Sequence, residues 1–281
     1  MPSTVNLKNF KASNVIFETP IVTKSGFDIY IKYKYDSGRT DNLIIETGKM
    51  VFPFGVSSML GAEPSKKGPT KDTNDSLAIA FTDTQDPSIK EILEFDNRAK
   101  KFLETNAILL KIVDKNDDSQ SRKILLKKFM EKNYYGSLKY SKDKETKEKS
   151  DKYPPSFKLK LYKKKDSPTE YNHSFFKKGD NKTPINMTID NITEHITSQS
   201  NGKCFIKCSK IWKLADGGAG VTWTPEKLRF YEKEVANDFV FEEDSDDEVE
   251  RLTKNLTVKE PEIDTASQHS ASSNIKNNRV E

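Results

Sequence analysis

Residues 27–35 read FDIYIKYKY, in which Phe27, Ile29, Ile31, Tyr33 and Tyr35 alternate with Asp28, Tyr30, Lys32 and Lys34. Alternation with a period of two marks a strand with one buried face. The polar run Asp36-Ser37-Gly38-Arg39 lets the chain reverse into Asn42-Leu43-Ile44-Ile45-Glu46, so the two segments predict an antiparallel hairpin. Residues 52–75 hold Pro, Gly and Lys without periodicity and predict loop, after which residues 77–81 resume as a short strand.

Helical spacing follows. Ile89, Ile92, Leu93, Ala99 and Leu103 form one apolar face behind Asp86, a side chain suited to capping, and Pro87, whose missing N–H costs nothing in the first turn. Residues 121–132 predict a second helix, with Ile124, Leu125, Phe129 and Met130 inside and Arg122, Lys127, Lys128 and Lys132 in water. Together, residues of about 86–133 read as a helical insertion outside the sheet core. Residues of about 137–155 are rich in Lys, Glu and Ser, end in Pro154-Pro155, and predict a flexible basic loop.

Strand patterning then returns. Phe157, Leu159 and Leu161 alternate with Lys158, Lys160 and Tyr162, and Ile192 and Ile196 suggest a short helix over residues 191–198. The segments KCFIKCSKIWKL and VTWTPEKLRFYE flank Asp216-Gly217-Gly218-Ala219-Gly220 as a long hairpin whose glycines admit positive φ. Pro225 cannot donate to a ladder and marks a bulge or an edge. Five or more antiparallel strands with helices between early and late ones predict a mainly β chain with helical insertions (α+β), an OB-type antiparallel Greek-key barrel. An antiparallel sandwich with inserted helices would give the same pattern.

Of the 281 residues, 34% are hydrophobic and 32% charged, so a smaller folded body is diluted by polar loops or ends. The net charge of +4 conceals an asymmetry: residues 238–281 carry twelve acidic and five basic side chains, a net −7, which leaves +11 on the remainder. This predicts one domain over residues 1–236 and a disordered tail over 237–281 with an acidic run at 242–250. A basic body fits a polyanionic ligand, whose counterions clustered lysines displace. No apolar run reaches membrane-spanning length and the N-terminal residues lack a secretory h-region, so an intracellular, non-secreted protein is expected.

Catalytic chemistry finds little material. The three histidines, His173, His195 and His269, are scattered, and Cys204 and Cys208 lack a second ligand pair at zinc-like spacing. The two cysteines share a strand face and read as small apolar residues. The glycine cluster has no following Lys-Ser/Thr pair and fits no phosphate-binding loop. Glu242, Glu243, Asp244, Asp246, Asp247 and Glu248 read as solvated disorder, so no cofactor, metal or catalytic residue is expected.

What recurs is cations interleaved with rings on strand faces turned from the core. Tyr30, Lys32 and Lys34 form one set, and Lys158, Lys160 and Tyr162 a second. Phe205, Lys207, Lys213, Arg229 and Tyr231 form a third, beside Trp212 and Trp223, which serve as base platforms or as core. Lysines track phosphates while exposed rings stack on bases, so the combination suits single-stranded nucleic acid without a sequence code.

The strand FKLKLY, the loop containing Lys182-Thr183-Pro184-Ile185, the segment NITEHIT and the long hairpin, with a weaker echo in LAIAFTD and the helix through Phe102, resemble the single-stranded-DNA-binding proteins of nucleocytoplasmic large DNA viruses. That group is related to the podophage replication proteins. The resemblance implies an OB fold that coats exposed strands during viral replication, recombination and repair, in host cytoplasm or virion. It also implies an acidic terminus that competes with DNA and contacts replication proteins. Here about thirty Ser-, Asn- and Thr-rich residues follow DFVFEEDSDDEVE, and Phe239 and Phe241 precede the acids. A virion or scaffold protein with a generic basic surface, and an RNA-binding OB module, remain open alternatives.

Overall fold

The computed structural model describes residues 3–57 and 75–231, apart from Lys144, Lys147, Asn181 and Asp216. The acidic run and the rest of the tail lie outside the described residues. The described chain is mainly β, with three α-helices.

Strand β1 (Gly26–Lys34) buries Phe27, Ile29, Ile31 and Tyr33 as its alternation requires, and turns through Gly38, at φ +78°, into β2 (Thr40–Glu46). Strands β3 (Met50–Phe52) and β4 (Asp75–Ala80) follow. Helix α1 (Pro87–Thr105) opens with the Asp86 carboxylate accepting from Ser88 N, and helix α2 (Ser119–Lys132) with Asp118 accepting from Gln120 N and Ser121 N. Then come β5 (Ser156–Leu161), β6 (Ser174–Lys177), the single turn α3 (Ile192–His195), and the long pair β7 (Ser200–Leu214) and β8 (Ala219–Tyr231).

The two long strands organise the sheet. One edge of β7 pairs with β8; the other is shared by β1 at residues 210–214, β2 at 205–208 and β3 at 200–202. Val51 of β3 pairs with Ala80 of β4, β4 pairs antiparallel with β5, and Leu159 of β5 pairs in parallel with Trp223 of β8. The pairings β7–β3, β3–β4, β4–β5, β5–β8 and β8–β7 therefore run in a cycle around a common interior. Strand β6 adds to the far edge of β8 in parallel.

The interior holds Ile79, Phe157, Leu159, Cys208, Ile211 and Trp223 in one cluster that also includes α1. Phe95 of α1 meets Trp223 edge-on at 5.9 Å and Phe10 edge-on at 6.4 Å, and lies tilted against Phe17 at 6.2 Å. The first helix, expected as an insertion outside the sheet core, thus shares one cluster with the sheet residues, with Phe95 packed on Trp223. The N-terminal residues wrap it: Arg98 donates to the carbonyls of Ala12 and Val15, and Ala12 N donates to Glu91. Helix α2 departs from expectation differently. It buries Phe129 but leaves Ile124 58% and Leu125 41% exposed, since its C-terminal turn is what meets the sheet. The 137–155 stretch, expected as flexible loop, contributes a short strand at Leu138–Lys139 paired with β5 and a small pairing of Ser141–Lys142 with Lys149–Ser150.

Candidate nucleic-acid interface

Two bulges decide which side chains of the long hairpin face out. Phe205 opposes Lys227 while Ile206 opposes Pro225, so Glu226 is an extra residue in β8; Cys208 opposes Trp223 while Lys210 opposes Thr222, so Ser209 is an extra residue in β7. Each extra residue reverses the inside-outside parity of the strand beyond it. On β7 the inward series runs Ile206, Cys208, then Ile211 and Lys213; on β8 it runs Trp223, Pro225, then Leu228 and Phe230.

Two expected face residues are thereby corrected. Lys213 is only 3% exposed, donating to the carbonyls of Leu214 and Ala215 with its ammonium 5.7 Å from the Phe129 ring. Trp223 is 1% exposed and packs edge-on against Phe95 and Phe157, so it is core and no base platform. Trp212, by contrast, points outward opposite Gly220.

On the outer face the remaining residues assemble as follows. Lys210 sits opposite Tyr30 and Trp212 opposite Asp28 across β7 and β1, and Lys207 is opposite Thr224 on β8. Because Leu159 and Trp223 are register partners and both face in, Lys158, Lys160 and Tyr162 share the outer side with Thr222 and Thr224. A cleft of about 320 Å³ opens here, lined by Lys158, Lys160 and Trp212 together with Tyr135 and Lys139. Phe205 and Arg229 lie toward the opposite end of the hairpin, in a second cleft of about 160 Å³ with Phe176, Lys203 and Lys227, and Tyr231 lies beyond them opposite Asn201. Lys32 and Lys34 continue β1 past its pairing with β7, and Lys32 donates to Asn42 at 2.8 Å, so neither joins the cleft.

Tyr135, just before the lysine-rich stretch, and Lys139, within it, line this cleft although strand alternation does not single them out. The signal was present in KNYYGSLKY, which interleaves rings and cations as the strands do. Tyr135 stacks on Trp212 with ring centres 5.9 Å apart and planes at 26°, and the Lys139 ammonium lies 5.6 Å from the Tyr135 ring. Burial, reinforced by the charge of Lys158 and opposed by Asp96, holds the Lys139 ammonium below its ordinary pKa, so an approaching anion would be welcome there.

Glycine places this ring. Tyr134–Tyr135 pairs in parallel with residues 219–220, and a Cβ on Gly220 would lie 2.8 Å from the Tyr135 carbonyl and 2.9 Å from the Trp212 ring; one on Gly218 would lie 2.7 Å from the Tyr135 ring. The hairpin glycines thus serve close approach rather than positive φ, which among the described glycines occurs only at Gly26, Gly38, Gly55 and Gly179. From below, buried Asp96 accepts from Ser137 N at 2.8 Å, Ser137 Oγ at 2.8 Å and Tyr134 OH at 3.2 Å. Burial raises its carboxyl pKa against the lowering effect of these bonds.

Carboxylates are threaded among the cations. Glu226 pairs with Lys207 at 3.1 Å and Asp28 with Lys210 at 2.5 Å. At the edge, Tyr162 N donates to His173 Nε2 at 2.8 Å, so that nitrogen is unprotonated; burial lowers the His173 pKa to about 4, outweighing a hydrogen bond to Pro225 and the charge of Glu226. Cys204 and Cys208 are wholly buried, which pushes both thiols up and leaves them unreactive. Among the described residues no three His, Cys, Asp or Glu side chains gather as metal ligands, and no helix is long and apolar enough to cross a membrane.

The outer face therefore combines lysines with partly exposed rings. No family model matches the sequence, and no curated protein does. Among solved structures, the chain is similar to gp2.5, a single-stranded DNA binding protein encoded by bacteriophage T7, at 13% identity and a TM-score of 0.36, over 70% of this chain and 97% of that one. It is also similar to the single-stranded DNA-binding protein from bacteriophage Enc34 in complex with ssDNA, at 9% identity and a TM-score of 0.33, over 76% and 94%. Overlaps this loose carry no weight for function.

Proposed function

We propose that the protein is a non-catalytic, sequence-tolerant binder of single-stranded DNA that acts in viral DNA replication, recombination or repair, and whose acidic tail modulates access to the binding face. The observation that carries the binding is the outer face itself: Lys139, Lys158 and Lys160 line one cleft with the stacked Tyr135 and Trp212, and Lys207, Lys210, Tyr30 and Tyr162 lie on the same face of the sheet. Lysines spaced among rings neutralise a backbone while bases stack, and the stacking is available only to unpaired bases. The cyclic strand pairing supports an OB-type Greek-key barrel as the frame, a fold class that presents such faces. The viral setting rests on the resemblance of FKLKLY, NITEHIT and the long hairpin; the tail's part rests on its net −7 charge.

The test is fluorescence anisotropy with oligo-dT, matched RNA and a duplex of equal length. Tighter binding of the single strand, weakened at least about tenfold when Lys158 and Lys160 are both changed to Gln, is expected. Equal affinity for duplex rejects the proposal, and RNA binding tighter than DNA redirects it to an RNA-binding module.

A further inference from the structure

A groove of about 660 Å³ adjoins the lysine cleft, and nothing above gives it a role. Its floor is a row across four strands: Val51 pairs with Ala80, Ala80 with Ser156, and Ser156 with Lys139. Directly opposed residues share a sheet face, so this row lies on the same side as Lys158 and Lys160, which are two and four residues further along β5. Lys139 lines both hollows. Val51, Ala80 and Ser156 keep the floor low, Lys139 closes one end, and the walls include the rings of Phe54, Tyr140 and Tyr153. Phe54 is 73% and Tyr153 59% exposed, large aromatics left in water beside a concave apolar surface. Cations stand over two of the rings, Lys149, which also pairs with Asp151 at 3.5 Å, at 3.9 Å from the Tyr140 centre and Lys152 at 5.6 Å from that of Tyr153.

We propose that this groove is a second base-stacking subsite, in which nucleobases of the single strand leaving the lysine cleft lie against Phe54 and Tyr153 while Lys139, Lys149 and Lys152 meet the phosphates. The inference rests on the single-strand reading. It prefers bases to an apolar peptide because the groove continues the cleft through a shared lysine and repeats its alternation of ring and cation. A peptide of apolar residues has no use for three ammonium groups at the rim.

The experiment measures affinity against oligo-dT length, from about 4 to about 20 nucleotides, for the unaltered chain, Phe54→Ala/Tyr153→Ala and Lys158→Gln/Lys160→Gln. Both aromatics are exposed, so the double variant should keep its thermal midpoint. It should match the unaltered chain on the shortest oligomers and lose about five- to hundredfold on the longest, since each stacked base contributes that order of affinity. Tyr153→Phe, which keeps the ring, should restore most of what Tyr153→Ala loses. The lysine variant should weaken at every length. If the unaltered chain fails to bind, the single-strand reading falls and this inference with it. If it binds and the lysine variant weakens but the aromatic variant's length curve coincides with the unaltered one, only the inference is overturned, and the groove belongs to something other than DNA.

Discussion

Single residues on the outer face of the sheet work against one another as well as together. The Lys207–Glu226 and Lys210–Asp28 pairs neutralise two cations of that face. Surface pairs contribute at most about 1 kcal/mol to stability, so on the proposed reading their main effect would be on an approaching polyanion. Changing Glu226 to Gln should tighten oligo-dT binding by roughly three- to tenfold at low salt and steepen the salt dependence by nearly one counterion. Anisotropy titrations at several salt concentrations check this, and an unchanged slope removes Lys207 from the phosphate path.

The same strands show where residue-level reading of the sequence stops. Phe205, Lys207 and Lys213 have equal parity, as do Trp223, Arg229 and Tyr231, so strict alternation puts each trio on one face. The extra residues Ser209 and Glu226 reverse that parity midway, sending Lys213 and Trp223 inward. Pro225 announced one of these bulges; Ser209, an unremarkable polar residue, announced nothing. Where no bulge intervenes, as in β1 and β5, alternation placed every inward and outward side chain correctly.

At the scale of elements, the site depends on a clasp between α1 and the segment before β5. Asp96 satisfies the Ser137 N–H and hydroxyl and the Tyr134 phenol from inside the core. Asp96→Ala should cost about 2–3 kcal/mol in urea unfolding, because the Ser137 donors lose their acceptor while buried. The neighbouring hairpin contact gives a separable test. Gly220→Ala puts a methyl against the Tyr135 carbonyl and the Trp212 ring, so it should unstack that pair. The expected readout is a shift in tryptophan emission and oligo-dT affinity lowered about fivefold or more, with smaller loss of stability. An unaltered emission spectrum would show that the stack does not need the glycine.

A second element contact makes the fold sensitive to acid. His173 ties the segment before β6 to the end of β5 by accepting from Tyr162 N, and only its neutral form can do so. Its folded pKa of about 4 lies below the roughly 6.5 of an unfolded chain, so the unfolded state binds more protons between these values. The stability it contributes is fully present above about pH 6.5 and is lost as pH falls toward 4, by at most about 3 kcal/mol. Glu226, the nearby carboxylate, pulls the other way and is outweighed by burial. Urea midpoints for the unaltered chain and His173→Gln should converge as pH falls through this window; parallel curves would exclude His173 as the sensor.

For the whole molecule, the decisive quantity is how charge is divided. Residues 1–237 carry +11 and residues 238–281 carry −7, so the chain includes its own polyanion. A tethered polyanion competes with DNA at an effective concentration that the solution cannot dilute, but the competition is electrostatic and is screened over about 8 Å at physiological salt. Removing residues 238–281 should therefore tighten oligo-dT binding severalfold at low salt, with the two curves converging as salt rises. Replacing Glu242, Glu243, Asp244, Asp246, Asp247 and Glu248 by Gln and Asn should reproduce most of the gain, as competition by charge and not by chain length requires. The division was legible from composition alone, unlike the parity of β7 and β8, because net charge needs no register. If truncation changes affinity equally at all salt concentrations, the tail acts by bulk or by a specific contact, and the charge argument fails.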